Sequence, residues 1–599
     1  MSANANSPIA SCRWRLRDFV ACAGLLLATA AVVLWQNAHL TVLWDSSYIL
    51  DSSFRISLGQ LPYRDFPFAH APLTFLIQAA IIRLAGRAFF HHVVYAAIVG
   101  GLGTVVAWRC ILFILRPNLR SCWGVSLLLA VPLTFLGIYS ILPFPSYDCD
   151  CAFSILIAVL LLQRVSAASE AVARKATSRA ILLAFVAGAA AVVPMFFKQN
   201  IGLPFLAALL ASVQLLLAGR LKSNNGRTSS NLGSLDFFTI PAGAGLALGA
   251  ACLLLHFSVG LHNYIHWTIQ FAAQRRLPGM GTMLSVYAEP SLLWWIPCLA
   301  LGVALLRTRL SWFQWSRWVA LGLLAAPFLW TLASLAIYSD ADDRADSLLA
   351  LWPLLLVASV ALTVFNLLHD LTLRNLLPVA VLAAIHGALL SQQLWGSTYA
   401  IWPLLMILAA TMISFLAASC AAVTTDGVLP GTVRIAPVFT VVFSCALLVC
   451  GALYALSEER LSYAQAMDGV VCRSKISELK GMAIRGPYLA DFEELLRLAA
   501  AEIPRAEGMI LIPGEDPFYF VTGRIPQFPV LLFDPATDPL SPAQLAEAAR
   551  AGKTRWLIVK RNLQIKEDPT PQREAAMREL LHMFVPFRRL RAYDVYWRP

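Results

Sequence analysis

The sequence predicts an α-helical polytopic membrane protein of about thirteen transmembrane helices followed by a small α/β domain on the outer face. Three observations carry that prediction. Hydrophobic residues make up 59% of the 599 and charged residues only 13%, where soluble globular chains carry about 25% charged residues. Apolar runs of near-spanning length recur up to residue 456, and the mean hydropathy is +0.68. From residue 457 onward charge rises, the runs shorten, and strand-like segments alternate with helical ones.

The runs lie near 19–38, 90–115, 122–142, 151–163, 180–197, 201–219, 237–256, 291–306, 318–338, 347–367, 376–394, 399–421 and 435–456. Each approaches the roughly 20 residues that a helix needs to cross the hydrocarbon layer. The formal charge of +12 does not indicate nucleic acid, because it follows topology. Arg13, Arg15 and Arg17, then Arg116 and Arg120, Arg164 to Arg179, Arg220 to Arg227, and Arg307 to Arg317 fall in alternate loops, the cytoplasmic set by the positive-inside rule. The N-terminus is expected inside, and an odd number of spans puts the C-terminus outside. No small-residue cleavage site follows the first run, so it reads as an uncleaved span. Most of the twelve cysteines fall within spans, with Cys149, Cys151 and Cys472 expected on the oxidising side.

Between the first two long runs, 46–58 reads as a short amphipathic helix ended by Gly59 and Pro62. A second short helix, from Leu73 to Leu84 after Pro72, is expected to lie in the membrane interface. The loop from Lys222 to Asn231 is a flexible connector. In the last segment, strands are predicted at 509–512, 530–533, 556–559 and 593–597, and helices at 490–501, 542–551 and 571–582. The domain division is therefore 1–456 for the membrane part, with the outer loop 41–89 carrying interfacial helices, and 457–599 for the outer domain.

Asp45 follows Trp44 where the chain leaves its first span. An unpaired charge at membrane depth costs on the order of 3 kcal/mol, so an acid kept there commonly faces a wet cavity. The surrounding stretch reads Trp44-Asp45, Tyr48, Gly59-Gln60-Leu61-Pro62-Tyr63-Arg64-Asp65, His70-Ala71-Pro72-Leu73. It resembles the GT-C membrane glycosyltransferases, particularly the protein O-mannosyltransferase and lipid A aminoarabinose transferase branch. The resemblance implies an outer-face active site, with Asp45 as the general base that takes a proton from the acceptor hydroxyl. Two features depart from the pattern: Ser46 stands where a second acid is frequent, and Ala71-Pro72-Leu73 replaces a proline-proline-leucine element.

Asp148, in the next outer loop, is a second acid that would support catalysis, bind a metal, or simply cap the following span. Whether a divalent cation takes part stays open; Asp45 and Asp148 are its candidate ligands. A lipid-phosphate donor needs outer cations for its leaving group, and the candidates are Lys198 in a short outer turn, Arg275 and Arg276 in the longest outer loop, and Arg344 in an acidic cluster. Asp51 and Asp65 read as helix-surface or turn residues. His256, His262 and His266 lack metal-ligand spacing. Trp44, Trp267, Trp294, Trp295, Trp330, Trp352, Trp395 and Trp402 read as an interfacial belt.

These features point to an inverting glycosyltransferase of the inner (plasma) membrane. Its partners would be a polyprenyl-phosphate sugar donor and a lipid, glycan or protein hydroxyl acceptor on the outer face, with no nucleic acid. The alternatives are a transporter or flippase of lipid-linked glycans and a non-catalytic envelope assembly protein. The C-terminal domain is expected to shape the acceptor entrance through the loop from Pro513 to Phe520.

Overall fold

The computed structural model describes residues 14–39, 41, 43–119, 121–171, 178–223, 232–275, 283–307, 314–338, 347–390, 398–423, 435–457, 469–533, 540–552, 554–563 and 571–599. Through residue 457 the described chain is helical. Its first ten helices are α1 (Leu16–His39), α2 (Trp44–Ser57), α3 (Leu73–Ala85), α4 (Phe89–Leu115), α5 (Cys122–Ala130), α6 (Leu133–Leu136), α7 (Tyr147–Ala171), α8 (Ser178–Val192), α9 (Pro194–Phe197) and α10 (Gln199–Ser223). Among the described residues, ten helical segments are long and apolar enough to cross a membrane.

The expected thirteen spans are not all of that kind. The run at 122–142 breaks at Val131-Pro132, since a proline removes one helical hydrogen bond and clashes with the preceding turn, leaving only α5 and α6. Leu292–Arg307 and Leu373–Leu389 have 16 and 17 residues, about 24 to 26 Å of helix against a hydrocarbon layer of about 30 Å. Three tryptophans assigned to the belt are core residues instead: Trp295, Trp352 and Trp402 are fully buried, the last two meeting at 5.9 Å. Trp294 and Trp330 are exposed and pack edge to face. Trp395 and the Trp44 side chain lie outside the described residues. Cys149 and Cys151 are buried inside the first turns of α7 rather than facing out.

The last part of the chain folds around a four-stranded sheet in the order β3-β4-β6-β5, after a two-stranded ribbon of β1 (Val471–Arg473) and β2 (Ala483–Arg485). The strands are β3 (Gly508–Ile512), β4 (Thr554–Lys560), β5 (Val585–Arg589) and β6 (Tyr593–Trp597). β3 and β4 are parallel, joined by a crossover carrying the helix Pro542–Ala551, whose Ser541 and Gln544 form a capping box. The other neighbours are antiparallel. Side chains alternate across this sheet as the pleat requires. Ile510, Ile512 and Leu557 pack on Leu545, Ala549 and Leu580, whereas Met509, Leu511, Trp556 and Ile558 pack on Phe492 and Leu495 of the helix Tyr488–Glu502. Val530 to Phe533, expected as a strand, bends at Leu531 and joins no ladder; its anchor is the Phe533 N–H donating to the Pro513 carbonyl at 2.8 Å. β1, β2 and β5 had no prior signal, the first two being three residues long and β5 exposed at every position.

The second of those hydrophobic clusters does not stop at the sheet. It continues into Leu43, Leu50 and Phe54 of the α2 region, Ile82 of α3, and Phe89 and Val93 of α4. α2 is thus enclosed rather than lying on an interface, with Ser46 to Ile56 buried except for Tyr48. Its five serines are poor helix formers, so burial rather than propensity makes this segment helical.

Candidate active site

α7 starts where it does because Pro143 and Pro145 cannot continue a preceding helix, and the Ser146 hydroxyl accepts the Asp148 N–H at 3.3 Å. Two acids, Asp148 and Asp150, therefore sit in the first turn, where the helix dipole favours negative charge. Two residues apart, they serve different neighbours. Asp150 accepts hydrogen bonds from Thr74, Tyr95 and Tyr139, each at 2.7 Å, which ties α7 to α3, to α4 and to the loop before α7. Its carboxylate is fully engaged as an architectural fastener.

Asp148 instead forms an ion pair with Lys198. Both side chains are largely buried, at 5% and 11% exposure. Lys198 stands at the junction of α9 and α10, where its N–H donates to the Pro194 carbonyl and its own carbonyl accepts from Gly202 at 2.9 Å. Gly202 is required at that position: a Cβ there would lie 2.2 Å from the Met195 nitrogen, so only glycine lets α9 fold back this closely. Lys198 is thus not the lone lysine of an exposed turn that the sequence suggested. It is a buried, partnered cation, and that matters for what its removal does.

An aromatic wall adjoins the pair. The Lys198 ammonium lies 5.0 Å from the Tyr147 ring centre, Tyr147 stacks on His70 at 4.8 Å, and His70 meets Tyr48 at 5.5 Å and Phe75 at 6.0 Å. The loop that delivers His70 is held by Tyr63, whose hydroxyl donates to the His70 carbonyl at 2.6 Å. Asp65 is a turn residue, as expected: it accepts the Leu61 N–H at 2.7 Å and pairs with Arg64, which hold its carboxyl below the usual range. His70 lay in the quoted motif without a role, and Tyr147 adjoins Asp148 in sequence; tertiary packing alone turns them into one surface.

The structure joins Asp148 to Lys198 and brings α2 beside them through Tyr48. Asp45 is the second residue of α2, and its side chain lies outside the described residues. So do the Arg275 side chain, Arg276 and Arg344. Among the described residues there is no group of three or more His, Cys, Asp and Glu arranged to hold a metal ion.

Two expectations for the neighbourhood are corrected. Asp51 is no helix-surface acid. It is buried and accepts the Phe520 and Tyr519 N–H groups at 2.7 and 3.2 Å, capping the helix Phe518–Thr522 of the C-terminal segment. Burial pushes its carboxyl up to about 8, only partly offset by those two donors. The Pro513 to Phe520 loop offers no acidic groove either. Glu515 and Asp516 are buried against Lys560 at 2.8 and 2.9 Å, and Tyr593 donates to Asp516 at 3.1 Å. Burial works against the charge on Lys560, but the two carboxylates outweigh it and hold its pKa above the usual lysine value. Arg55 and Arg87 complete the junction, donating to the carbonyls of Phe528 and Pro529 and of Phe520 and Val521.

No protein-family model and no curated protein sequence matches the chain. Similar solved structures include ArnT from Cupriavidus metallidurans bound to undecaprenyl phosphate, at 12% identity and a TM-score of 0.45, covering 96% of this chain and 97% of that one. The apo state of the same protein gives 13% and 0.46, covering 96% and 98%. The archaeal oligosaccharyltransferase AglB from Archaeoglobus fulgidus, in complex with an inhibitory peptide and a dolichol-phosphate, gives 11% and 0.46, covering 91% and 69%.

Proposed function

We propose that this chain is a membrane glycosyltransferase that moves a sugar from a polyprenyl-phosphate donor to a hydroxyl of a lipid, glycan or protein on the outer face. The observation that carries the reading is the buried Asp148 and Lys198 pair under the Tyr147 and His70 wall. Desolvating two charges costs several kcal/mol each, so hydrophobic packing alone would be the simpler way to fill that space. An ammonium has three donors, and Asp148 occupies part of that capacity while fixing its position. The remainder suits a phosphate oxygen, and the aromatic rings suit a sugar face or its developing positive charge.

In this reading the acceptor oxygen attacks the anomeric carbon as Asp45 takes its proton. The bond from that carbon to the phosphate oxygen breaks, the polyprenyl phosphate leaves with the electron pair, and the configuration inverts. Asp45 precedes Tyr48 by three residues, a spacing at which helical positions share a face, and Tyr48 belongs to the aromatic wall. Lys198 stabilises the leaving charge, Asp148 holds Lys198, and Arg275, Arg276 and Arg344 supply further outer cations. Residues 1–456 form the membrane unit in this account, with the N-terminus inside, and 457–599 form an outer domain packed on the 41–89 loop. The enzyme resides in the plasma membrane.

Thin-layer assay of lipid-linked sugar turnover by the purified chain tests the proposal. Release of polyprenyl phosphate with transfer to a hydroxyl acceptor supports it. Movement of intact lipid-linked glycan across vesicles without turnover would make the chain a flippase instead.

A further inference from the structure

At the end of the bundle opposite Asp148, the described residues enclose a cavity of about 520 Å³. Gln163 and Ser166 of α7 line it, fifteen and eighteen residues beyond Asp148, or about 22 to 27 Å along the helix at 1.5 Å per residue. It is therefore separate from the site above. Asn118, Asn366, Thr411 and Ser414 add amides and hydroxyls, Arg374 a guanidinium and Asp370 a carboxylate. Gln163 is 3% exposed, and while its amide N–H donates to the Cys110 carbonyl at 3.4 Å, its Oε1 has no hydrogen-bond partner among the described residues. A buried amide oxygen left without a donor is unfavourable, so the cavity is built to receive one from a ligand.

A second space adjoins the first. It is an apolar groove of about 330 Å³ that shares Leu362 and Phe415 with the cavity and runs past Ile296, Val303 and Ala358. Arg307 marks its end, with the guanidinium 4.8 and 5.4 Å from the Phe365 and Phe415 rings, while Arg374 lies over Phe113 at 5.8 Å. An apolar slot in membrane helices that opens into a polar chamber with cations has the division of a lipid: chain on one side, headgroup on the other.

We propose that this joined space binds one anionic phospholipid, its acyl chain in the groove, its phosphate diester between Arg307 and Arg374, and its headgroup hydroxyls among the amides that include Gln163. The polar lining selects the class. The two guanidiniums suit a phosphate diester and the amides and hydroxyls suit a neutral polyol headgroup, whereas a zwitterionic headgroup would bring its own cation beside Arg307 and Arg374. The groove selects the source, since a soluble phosphate ester would leave it unfilled.

Native mass spectrometry of the full chain released from nanodiscs of phosphatidylcholine, phosphatidylethanolamine and phosphatidylglycerol in equal parts tests this. Retention of one phosphatidylglycerol is expected, with occupancy falling at least about tenfold in Arg374→Gln, as the loss of a charge-assisted contact implies. Ala358→Trp, which fills the groove and leaves the headgroup chamber intact, should produce the same loss and guards against a folding defect in the arginine variant. Retention of the three lipids in bilayer proportion, or unchanged phosphatidylglycerol occupancy in either variant, would overturn the proposal.

Discussion

Replacing Lys198 by methionine keeps the side chain as far as Cε but removes the ammonium that faces the Asp148 carboxylate, which is 5% exposed. Removing one partner of a buried pair typically destabilises by about 3 to 5 kcal/mol, because the remaining charge stays desolvated. The double variant Asp148→Asn with Lys198→Met removes both charges and should recover most of that loss, giving a coupling of at least about 1.5 kcal/mol across the cycle. Thermal unfolding of the purified full chain in one detergent, read for wild type, both single variants and the double variant, measures it. Lys198→Arg should keep the pair and most of the stability. Donor binding should be lost in Lys198→Met and not regained in the double variant, which separates the phosphate role from the structural one. Single variants each within about 0.5 kcal/mol of wild type, or a double variant whose loss equals the sum, would refute the buried pair.

Asp51→Ala should weaken the junction between α2 and the C-terminal segment by about 1 to 3 kcal/mol by stranding the Tyr519 and Phe520 N–H groups, and limited proteolysis after residue 457 would report it. Because the folded carboxyl titrates near 8 rather than its ordinary 3.8, the folded state holds its proton longer, so this group's contribution to stability declines as pH rises between those values; in Asp51→Asn that part of the pH dependence of Tm should vanish. Truncation after Ser457 should destabilise the membrane part as well as abolish transfer, since it uncovers Leu50, Phe54 and Phe89; a truncate with wild-type Tm and donor binding would contradict this. Alkaline phosphatase fused after Pro599 should be active and a fusion at Asn225 inactive; the reverse would place the site on the wrong side of the membrane.

The membrane helices, the C-terminal alternation of strands and helices, and the acid and lysine of the pair were legible because hydropathy, periodicity and charge scarcity are local signals. What joined them was not. Lys198 and Asp148 are fifty residues apart, and nothing in either neighbourhood announces the other. The same holds for Asp51, whose partners lie 468 and 469 residues away, and for the acids of the Pro513 loop, which look solvent-ready until Lys560 arrives from β4. The number of spans is least legible where a proline interrupts an apolar run and where helices are short, and composition alone cannot separate a buried tryptophan from an interfacial one.

In the proposed reaction the carboxylate at position 45 drives transfer from a lipid-phosphate sugar. Turnover of polyprenyl-phosphate sugar by Asp45→Asn, compared with wild type at equal expression and equal donor binding, tests it most directly. A fall of at least about 10² is expected, the contribution of a positioned general base. Turnover close to wild type would contradict it and return Asp45 to an ordinary position at the start of α2.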